Sequence, residues 1–217
     1  MSPVISNLLL KSLAETLYML GVSAAIAALI GIPLGILLVV TEKGGILSCP
    51  VLNKPLAFAV NMVRSVPFII LMVAIIPITR AIAGTSIGTT AAIVPLTIAA
   101  IPYTARMVET SIREIPGGLI EAAESMGATP FQIIWKVYIP EALPSLIETM
   151  TVVIVTLIGS SAMAGTIGGG GLGDLAIRYG YQRFQADVMI ATIVVLIVIV
   201  QAIQFIGNTL SRKADKR

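Results

Sequence analysis

Between Arg106 and Ser145 the chain reads RMVETSIREIPGGLIEAAESMGATPFQIIWKVYIPEALPS, a polar island inside an otherwise membrane-like sequence. The island contains Glu121-Ala122-Ala123, then Gly127, then Val137-Tyr138-Ile139-Pro140. Apolar stretches flank it on both sides, so the chain leaves the bilayer where the island begins and returns where it ends. The island is therefore interpreted as one large loop that is available to a partner outside the membrane.

The composition around this island fixes the broad class of protein. Hydrophobic residues make up 57% of the chain and charged residues 12%, and the mean hydropathy is +0.99, values that one water-soluble core cannot accommodate. A spanning helix needs about 20 mostly apolar residues. Stretches of that kind occupy residues 16–40, 65–83, 86–105, 146–166 and 187–208. We therefore predict an all-α integral membrane protein with five transmembrane helices, organised as a single transmembrane domain over residues 1–217.

The distribution of lysine and arginine predicts the orientation, because cytoplasmic ends of spans are enriched in both. With the N-terminus outside, five spans place the C-terminus in the cytoplasm, and ten of the 14 basic residues then lie on the cytoplasmic side. These ten are Lys43, Lys54, Arg64, Arg106, Arg113, Lys136, Arg212, Lys213, Lys216 and Arg217, and the four outside are Lys11, Arg80, Arg178 and Arg183. The net charge of +3 is thus explained by topology, and no nucleic-acid partner is expected.

Residue types that are missing exclude several classes of chemistry. Histidine is absent and Cys49 is the single cysteine, which excludes a disulfide framework, a Cys/His zinc site and catalysis by a Ser-His or Cys-His pair within the chain. No GxxxxGK[ST] motif occurs, and the GxGxxG match at Gly168–Gly173 lacks the strand, helix and distant acid of a dinucleotide site. We therefore predict that this chain has no catalytic residue, cofactor or metal of its own and is not an enzyme.

Local signals refine the spans. Ser12 with Glu15, and Ser145 with Glu148, fit capping boxes and are predicted to begin the first and fourth spans. Arg64 and Arg80 leave only about 15 residues for the second span, about 22 Å of helix. Both arginines are therefore expected to reach the headgroups or to face protein, the alternative being an arginine that binds substrate. The middle parts of the spans are expected to contain no ionisable residue.

The island itself is predicted to form two short helices that meet at Gly127. The first begins after Pro116 and is amphipathic; its apolar face is Leu119, Ala122, Ala123 and Met126, and its polar face is Glu121, Glu124 and Ser125. Gly127 is predicted to be the left-handed residue that ends it. Thr129 is predicted to cap the second helix, with Pro130 at its first position and Gln132 completing a capping box. Its apolar face is Phe131, Ile134, Trp135 and Tyr138, and Pro140 and Pro144 are expected to turn the chain back toward the fourth span.

Two interpretations of the island are open. A hairpin lying on the bilayer, with Trp135 and Tyr138 as aromatic anchors, explains the second helix. It does not explain the first, because acidic residues gain nothing from anionic lipid. Small Ala122 and Ala123 beside a sharp turn favour docking into a groove of another protein, with Glu121 available to a basic or amide-bearing partner.

The spacing in the island also carries a family resemblance. Glu121-Ala122-Ala123, Gly127 and Val137-Tyr138-Ile139-Pro140 together resemble the EAA loop of ATP-binding-cassette (ABC) importer permeases. Further segments resemble the methionine-importer permease family, namely Arg64-Ser65-Val66-Pro67-Phe68-Ile69-Ile70, Gly84-Thr85-Ser86-Ile87-Gly88, Ala105-Arg106-Met107-Val108-Glu109, Met126-Gly127-Ala128-Thr129-Pro130 and Ser161-Ala162-Met163.

The resemblance implies a type I ABC importer permease fold, with the EAA loop in the cytoplasm between spans three and four. Its ATPase-coupling helix would comprise Glu121, Ala122, Ala123 and Gly127. The implied assembly is a homodimer in the bacterial inner (plasma) membrane, with two ABC ATPases that bind ATP and Mg²⁺ and an extracytoplasmic methionine-binding protein or lipoprotein. The implied cargo is L- or D-methionine, with another small amino acid or a methionine derivative as the alternative.

Two other classes of function stay open at this point. An ion-coupled carrier or a channel is disfavoured because such proteins usually place ionisable residues near the bilayer centre. A membrane enzyme or an assembly scaffold is disfavoured by the lack of histidine and of paired acids at membrane depth.

The fourth span contains a candidate gate. Gly159–Gly165 is a run of small residues interrupted by Met163. Small residues allow close approach of helices or substrate, and a thioether is apolar and adaptable. We therefore consider Met163, facing its twin across a dimer axis, as a candidate hydrophobic gate, with ordinary helix packing as the alternative.

Overall fold

Helices make up the architecture of this chain. The computed structural model describes residues 3–215, among which there is no strand, as expected where the bilayer leaves the backbone to satisfy its own hydrogen bonds. The prediction of an all-α protein is confirmed. In chain order the helices are α1 (Pro3–Val40), α2 (Pro50–Arg64), α3 (Phe68–Ala74), α4 (Ile76–Ala83), α5 (Thr89–Arg113), α6 (Gly117–Ser125), α7 (Pro130–Ile133), α8 (Ile139–Gly165), α9 (Gly171–Leu175) and α10 (Ala186–Ala214), with π-helical segments at Ile134–Tyr138 and Ala176–Tyr181.

Four helices among the described residues are long and apolar enough to cross a membrane. They are Ile5–Val40, Thr89–Arg113, Pro130–Gly165 and Ala186–Ala214, and they match the first, third, fourth and fifth predicted spans with longer ends. A fifth span is obtained if α2 and α3, which are bent by 101° at a short break, count as one.

The second predicted span, 65–83, is wrong as one continuous helix. The chain forms α3 and α4 there, which meet at Ile75, and α2 precedes them. Pro67 lies at the N-cap of α3, and Pro77 lies in the first turn of α4. Because proline lacks a backbone donor and suits the start of a helix, each begins a new helix and the span is broken.

Both capping boxes predicted for spans one and four are wrong, because Ser12 lies inside α1 and Ser145 inside α8. In both cases the helix begins earlier and continues through the capping sequence. Each acid instead binds a distant group. Glu15 accepts a hydrogen bond from the Gly171 amide at 2.8 Å, and Glu148 accepts one from Ser211 Oγ at 2.8 Å.

The helices α1 and α5 pack at very close range, and glycine makes this possible. A Cβ added to Gly35 would lie 2.5 Å from the carbonyl oxygen of Ala105, and one added to Gly31 would lie 2.7 Å from Thr104 Cβ. Buried side chains of α1, α5 and α8, among them Met19, Leu96 and Val153, form a shared core around this contact.

Hydrogen bonds identify the segments that lie at each of the two ends of the bundle. At one end Thr16 Oγ1 accepts from the Leu172 amide at 2.9 Å, beside the glycine run. At the other end Arg113 of α5 binds Glu42, just beyond α1, at 2.8 Å. The Glu148–Ser211 contact brings the C-terminal part of α10 to this second end. The island and the end of α10 therefore lie together, opposite the glycine run. Lys216 and Arg217, which also entered the orientation prediction, lie outside the described residues.

Candidate functional site

The turn between α6 and α7 has a specific geometry at Gly127. Its φ is +76°, the left-handed region that favours glycine. The Gly127 amide donates to the Glu124 carbonyl at 2.9 Å, and the Ala128 amide donates to the Ala123 carbonyl at 3.0 Å. This pair of bonds is a Schellman motif, so the predicted left-handed helix end is confirmed. The Thr129 capping box is confirmed as well.

The packed face of α6 differs from the predicted one. Ala123 is 5% exposed and Ile120 packs partly beside it, but Leu119 is 42% and Met126 82% exposed. The nine-residue helix α6 contacts the bundle along one narrow face, so only Ala123 and Ile120 reach the core. Ala122 is exposed with Glu121, and the rest of the apolar surface of α6 is open to a partner.

The second helix of the island also packs on a different face. Ile133 and Tyr138 are buried, at 1% and 4% exposure, whereas Phe131 and Trp135 are 69% and 57% exposed and contact each other with ring centroids 6.0 Å apart. Phe131 and Ile133 precede the π-helical segment Ile134–Tyr138, whose wider turn can change the facing only of the residues within and after it.

Pro140 and Pro144 do not turn the chain back, since helix continues from Pro130 to Gly165. The π-helical segment ends at Tyr138, two residues before Pro140. A change of hydrogen-bond register at this point accommodates the missing amide of Pro140 and the bulk of its ring. The fourth span and the second helix of the island are therefore one continuous element.

The island is anchored to three long helices through one buried cluster. Ala123, Ile133 and Tyr138 pack there against side chains from α1, α5 and α8. The partners are Ile36 and Val40 of α1, Val108 and Ile112 of α5, and Ala142 and Leu146 of α8. Because closely packed side chains shift together rather than deform, a displacement of α6 is carried into the bundle.

A charge network beneath the island is a feature that sequence reasoning missed. Glu109 is 4% exposed and accepts hydrogen bonds from Arg106 at 2.8 Å and from Arg113 at 2.6 Å. Arg113 also binds Glu42 at 2.8 Å. The spacing of three and four residues around Glu109 is the signal that could have found it, since such pairs are neighbours on one helix face. The network ties the end of α5 to the end of α1.

Met163 lies on an open side of α8. Its side chain is 49% exposed, and a Cβ added to Gly159, one turn earlier, would meet nothing within 4 Å. Gly159 and Met163 therefore lie on the side of α8 that faces away from the core of its own subunit, whereas Ser161 and Ala164 are buried in it.

The geometry defines an apolar helical bundle of membrane-spanning length with an exposed, anchored helix and turn at one end. Among residues 3–215, no group of three or more His, Cys, Asp or Glu residues is placed to hold a metal ion. Comparison with known proteins specifies the class. The chain belongs to the family of binding-protein-dependent transport system inner membrane components, whose sequence profile matches residues 31–217.

Relatives align with this chain over almost its whole length. A probable D-methionine transport system permease protein MetI of Vibrio cholerae is 57% identical over 212 residues, which cover 98% of this chain and 94% of that protein. The protein of the same name from Pasteurella multocida is 48% identical over 217 residues, 100% of both chains.

A solved structure, described as inward-facing conformations of the MetNI methionine ABC transporter, contains a chain that matches with a TM-score of 0.97 and 49% identity over 100% of both chains. The fold is thus that of a type I ABC importer permease. The protein is the membrane component of an ABC importer and not itself an enzyme, because ATP hydrolysis belongs to a separate subunit.

Proposed function

We propose that this chain forms the translocation pathway of an ATP-driven importer of methionine, as either enantiomer. The observation that carries the proposal is the 57% identity, over 98% of the chain, to a permease named for D-methionine transport. A second observation supports it, since the matching solved chain belongs to a methionine ABC transporter and covers the chain from end to end.

The proposed assembly contains two copies of the chain, two ABC ATPases and an extracytoplasmic binding protein. Each ATPase docks on α6, where Glu121 and Ala122 are exposed and Gly127 holds the turn. Ala123 links this helix to the buried cluster, so closure of the ATPases on ATP and Mg²⁺ moves the bundle between two packed arrangements. This chain binds neither nucleotide nor metal.

The proposed orientation places the island and the C-terminus in the cytoplasm and the N-terminus outside. It is supported by the excess of basic residues at the island end and by the position of Arg113 and Arg212 on that side. The glycine run then faces the binding protein. Gly171 is buried and its amide is bound to Glu15, so this surface is a packed connection rather than a flexible one.

In the proposed pathway Met163 of each copy narrows the outer half. The half-exposed side chain and the open space beside Gly159 leave room for a second copy to approach. Two apolar side chains that meet there block a polar solute until the copies separate.

Uptake of labelled methionine into proteoliposomes that contain the permease, the ATPase and the binding protein tests this function. We expect uptake to require all three and to be inhibited by unlabelled methionine more strongly than by other amino acids. Uptake by the permease alone would instead establish a carrier or channel, and preferential inhibition by a different amino acid would reassign the cargo.

A further inference from the structure

A cavity of about 300 Å³ lies where the break between α2 and α3 faces α5 and α8. Four of the residues that line it are polar, namely Arg64, Tyr103, Thr156 and Ser160. The remaining wall is apolar and includes Phe68, Leu71 and Leu157. The size is at the small end of the range for ligand pockets, and one charged group in an apolar wall is typical of such sites.

The cavity lies within the membrane-spanning helices, toward the end that leads to the island. Val153 to Ser160 lie in the middle of the apolar part of α8, and Ala99 to Tyr103 lie in the part of α5 that precedes Arg106. The backbone between Arg64 and Phe68 is not helical, and irregular backbone at this depth is tolerated only where it is buried in protein or lines a water-filled cavity. The exposed backbone at the break therefore requires either a second copy or water beside it.

Arg64, which the charge count placed on the cytoplasmic side, lines this cavity between the helices. The reason is α2, which begins beside the end of α1, where the side-chain Nδ2 of Asn53 donates to the Leu38 carbonyl at 2.7 Å. From there α2 extends about 22 Å into the bundle before it reaches Arg64.

The guanidinium of Arg64 forms no hydrogen bond or ion pair with any residue between positions 3 and 215. By contrast, Arg113 and Arg178 are paired with carboxylates. An arginine at membrane depth is costly unless it meets an anion or water. Tyr103 and Ser160 likewise have no hydrogen-bond partner for their hydroxyl groups in the described part of the chain.

We propose that this cavity binds the amino-acid cargo during translocation, with Arg64 holding its carboxylate. The inference rests on the proposed function and adds a site to it. A guanidinium matches a carboxylate with two parallel hydrogen bonds. The hydroxyl oxygens of Tyr103 and Ser160 accept from the cargo's ammonium group, and its apolar side chain lies against Phe68 and Leu157.

Binding to the purified permease–ATPase complex without the binding protein tests the site. In this competition assay, unlabelled methionine or methioninol is added to displace bound labelled methionine. In methioninol a hydroxymethyl group replaces the carboxylate. We expect the native complex to prefer methionine, and Arg64→Gln to weaken methionine binding roughly 10- to 100-fold, the range for a hydrogen bond to a charged group. The same substitution removes the preference over methioninol, while Arg64→Lys retains part of it.

Arg80→Gln is the matched control, because Arg80 lies outside the cavity and binds Ser86 at 3.3 Å. If Arg64→Gln binds methionine as tightly as the native complex and still discriminates against methioninol, the inference is overturned. Failure of native uptake with methionine would instead refute the proposed cargo. In that case the displacement assay is repeated with the amino acid that is transported and with the corresponding amino alcohol. If the native complex binds neither of these two compounds, the inference of a cargo site is also overturned.

Discussion

Replacement of Gly127 by valine isolates the contribution of one backbone conformation to coupling. At a φ of +76° an L-residue with a side chain is disfavoured by about 1–2 kcal/mol, and a β-branched residue is at the upper end. A Cβ at this position would meet nothing within 4 Å, so no steric clash adds to the cost. About 1.4 kcal/mol corresponds to a tenfold change in an equilibrium. The native turn, with its two hydrogen bonds to Glu124 and Ala123, would therefore be populated about tenfold less relative to opened forms.

The assay is methionine uptake and ATPase copurification for Gly127→Asn, Gly127→Ala and Gly127→Val. We expect Asn, which tolerates the left-handed region, to remain near the native level, Ala to be intermediate and Val to couple poorly. Gly118→Ala is the control, because Gly118 lies on the same helix with open space around it and an ordinary φ. Transport by Gly127→Val equal to that of Gly118→Ala, or an Asn variant as impaired as the Val variant, would refute the reasoning.

Four other outcomes are expected. Glu109→Gln should lower stability by about 1–2 kcal/mol, because it weakens two charge-assisted bonds whose arginines are 40% and 46% exposed; an unchanged melting temperature would contradict this. Gly207→Ala should destabilise the packing of α10 on α8 by about 1–3 kcal/mol, since its Cβ would overlap Thr151, whereas Gly21→Ala, whose Cβ would meet nothing within 4 Å, should be neutral. Met163→Ala should increase methionine leak or uncouple ATP hydrolysis, and Met163→Leu should not; if both behave like the native protein, Met163 is not a gate. Cys49 is exposed and should react with a membrane-impermeant maleimide in inverted vesicles but not in intact spheroplasts, and the reverse pattern would invert the topology.

The sequence predicted features that depend on a few neighbouring residues. Long apolar runs identified α1, α5, α8 and α10, because length and hydropathy alone decide whether a helix can cross a bilayer. The Thr129 capping box and the Gly127 turn were predicted for the same reason, since each is a contact within six residues.

Features that depend on distant contacts were not predicted. α2 was missed because Asn53, Lys54, Asn61 and Arg64 reduce its apolar character, although it packs against both α1 and α5. The packed face of α6 was misassigned because periodicity identifies apolar residues but not which of them reach a neighbour. Ser12 and Ser145 were read as helix starts, and only the tertiary partners of Glu15 and Glu148 reveal that the helices pass through them.

The continuity of helix from Pro130 to Gly165 has a mechanical consequence. These 36 residues form a rod about 54 Å long, with the docking turn at one tip and Met163 close to the other. Tilting such a lever by about 5° around its midpoint would displace each tip by about 2 Å, given that length. With an ATPase docked at that turn and Met163 as the gate, as proposed above, a small push at the docking side would separate the two Met163 side chains on the far side.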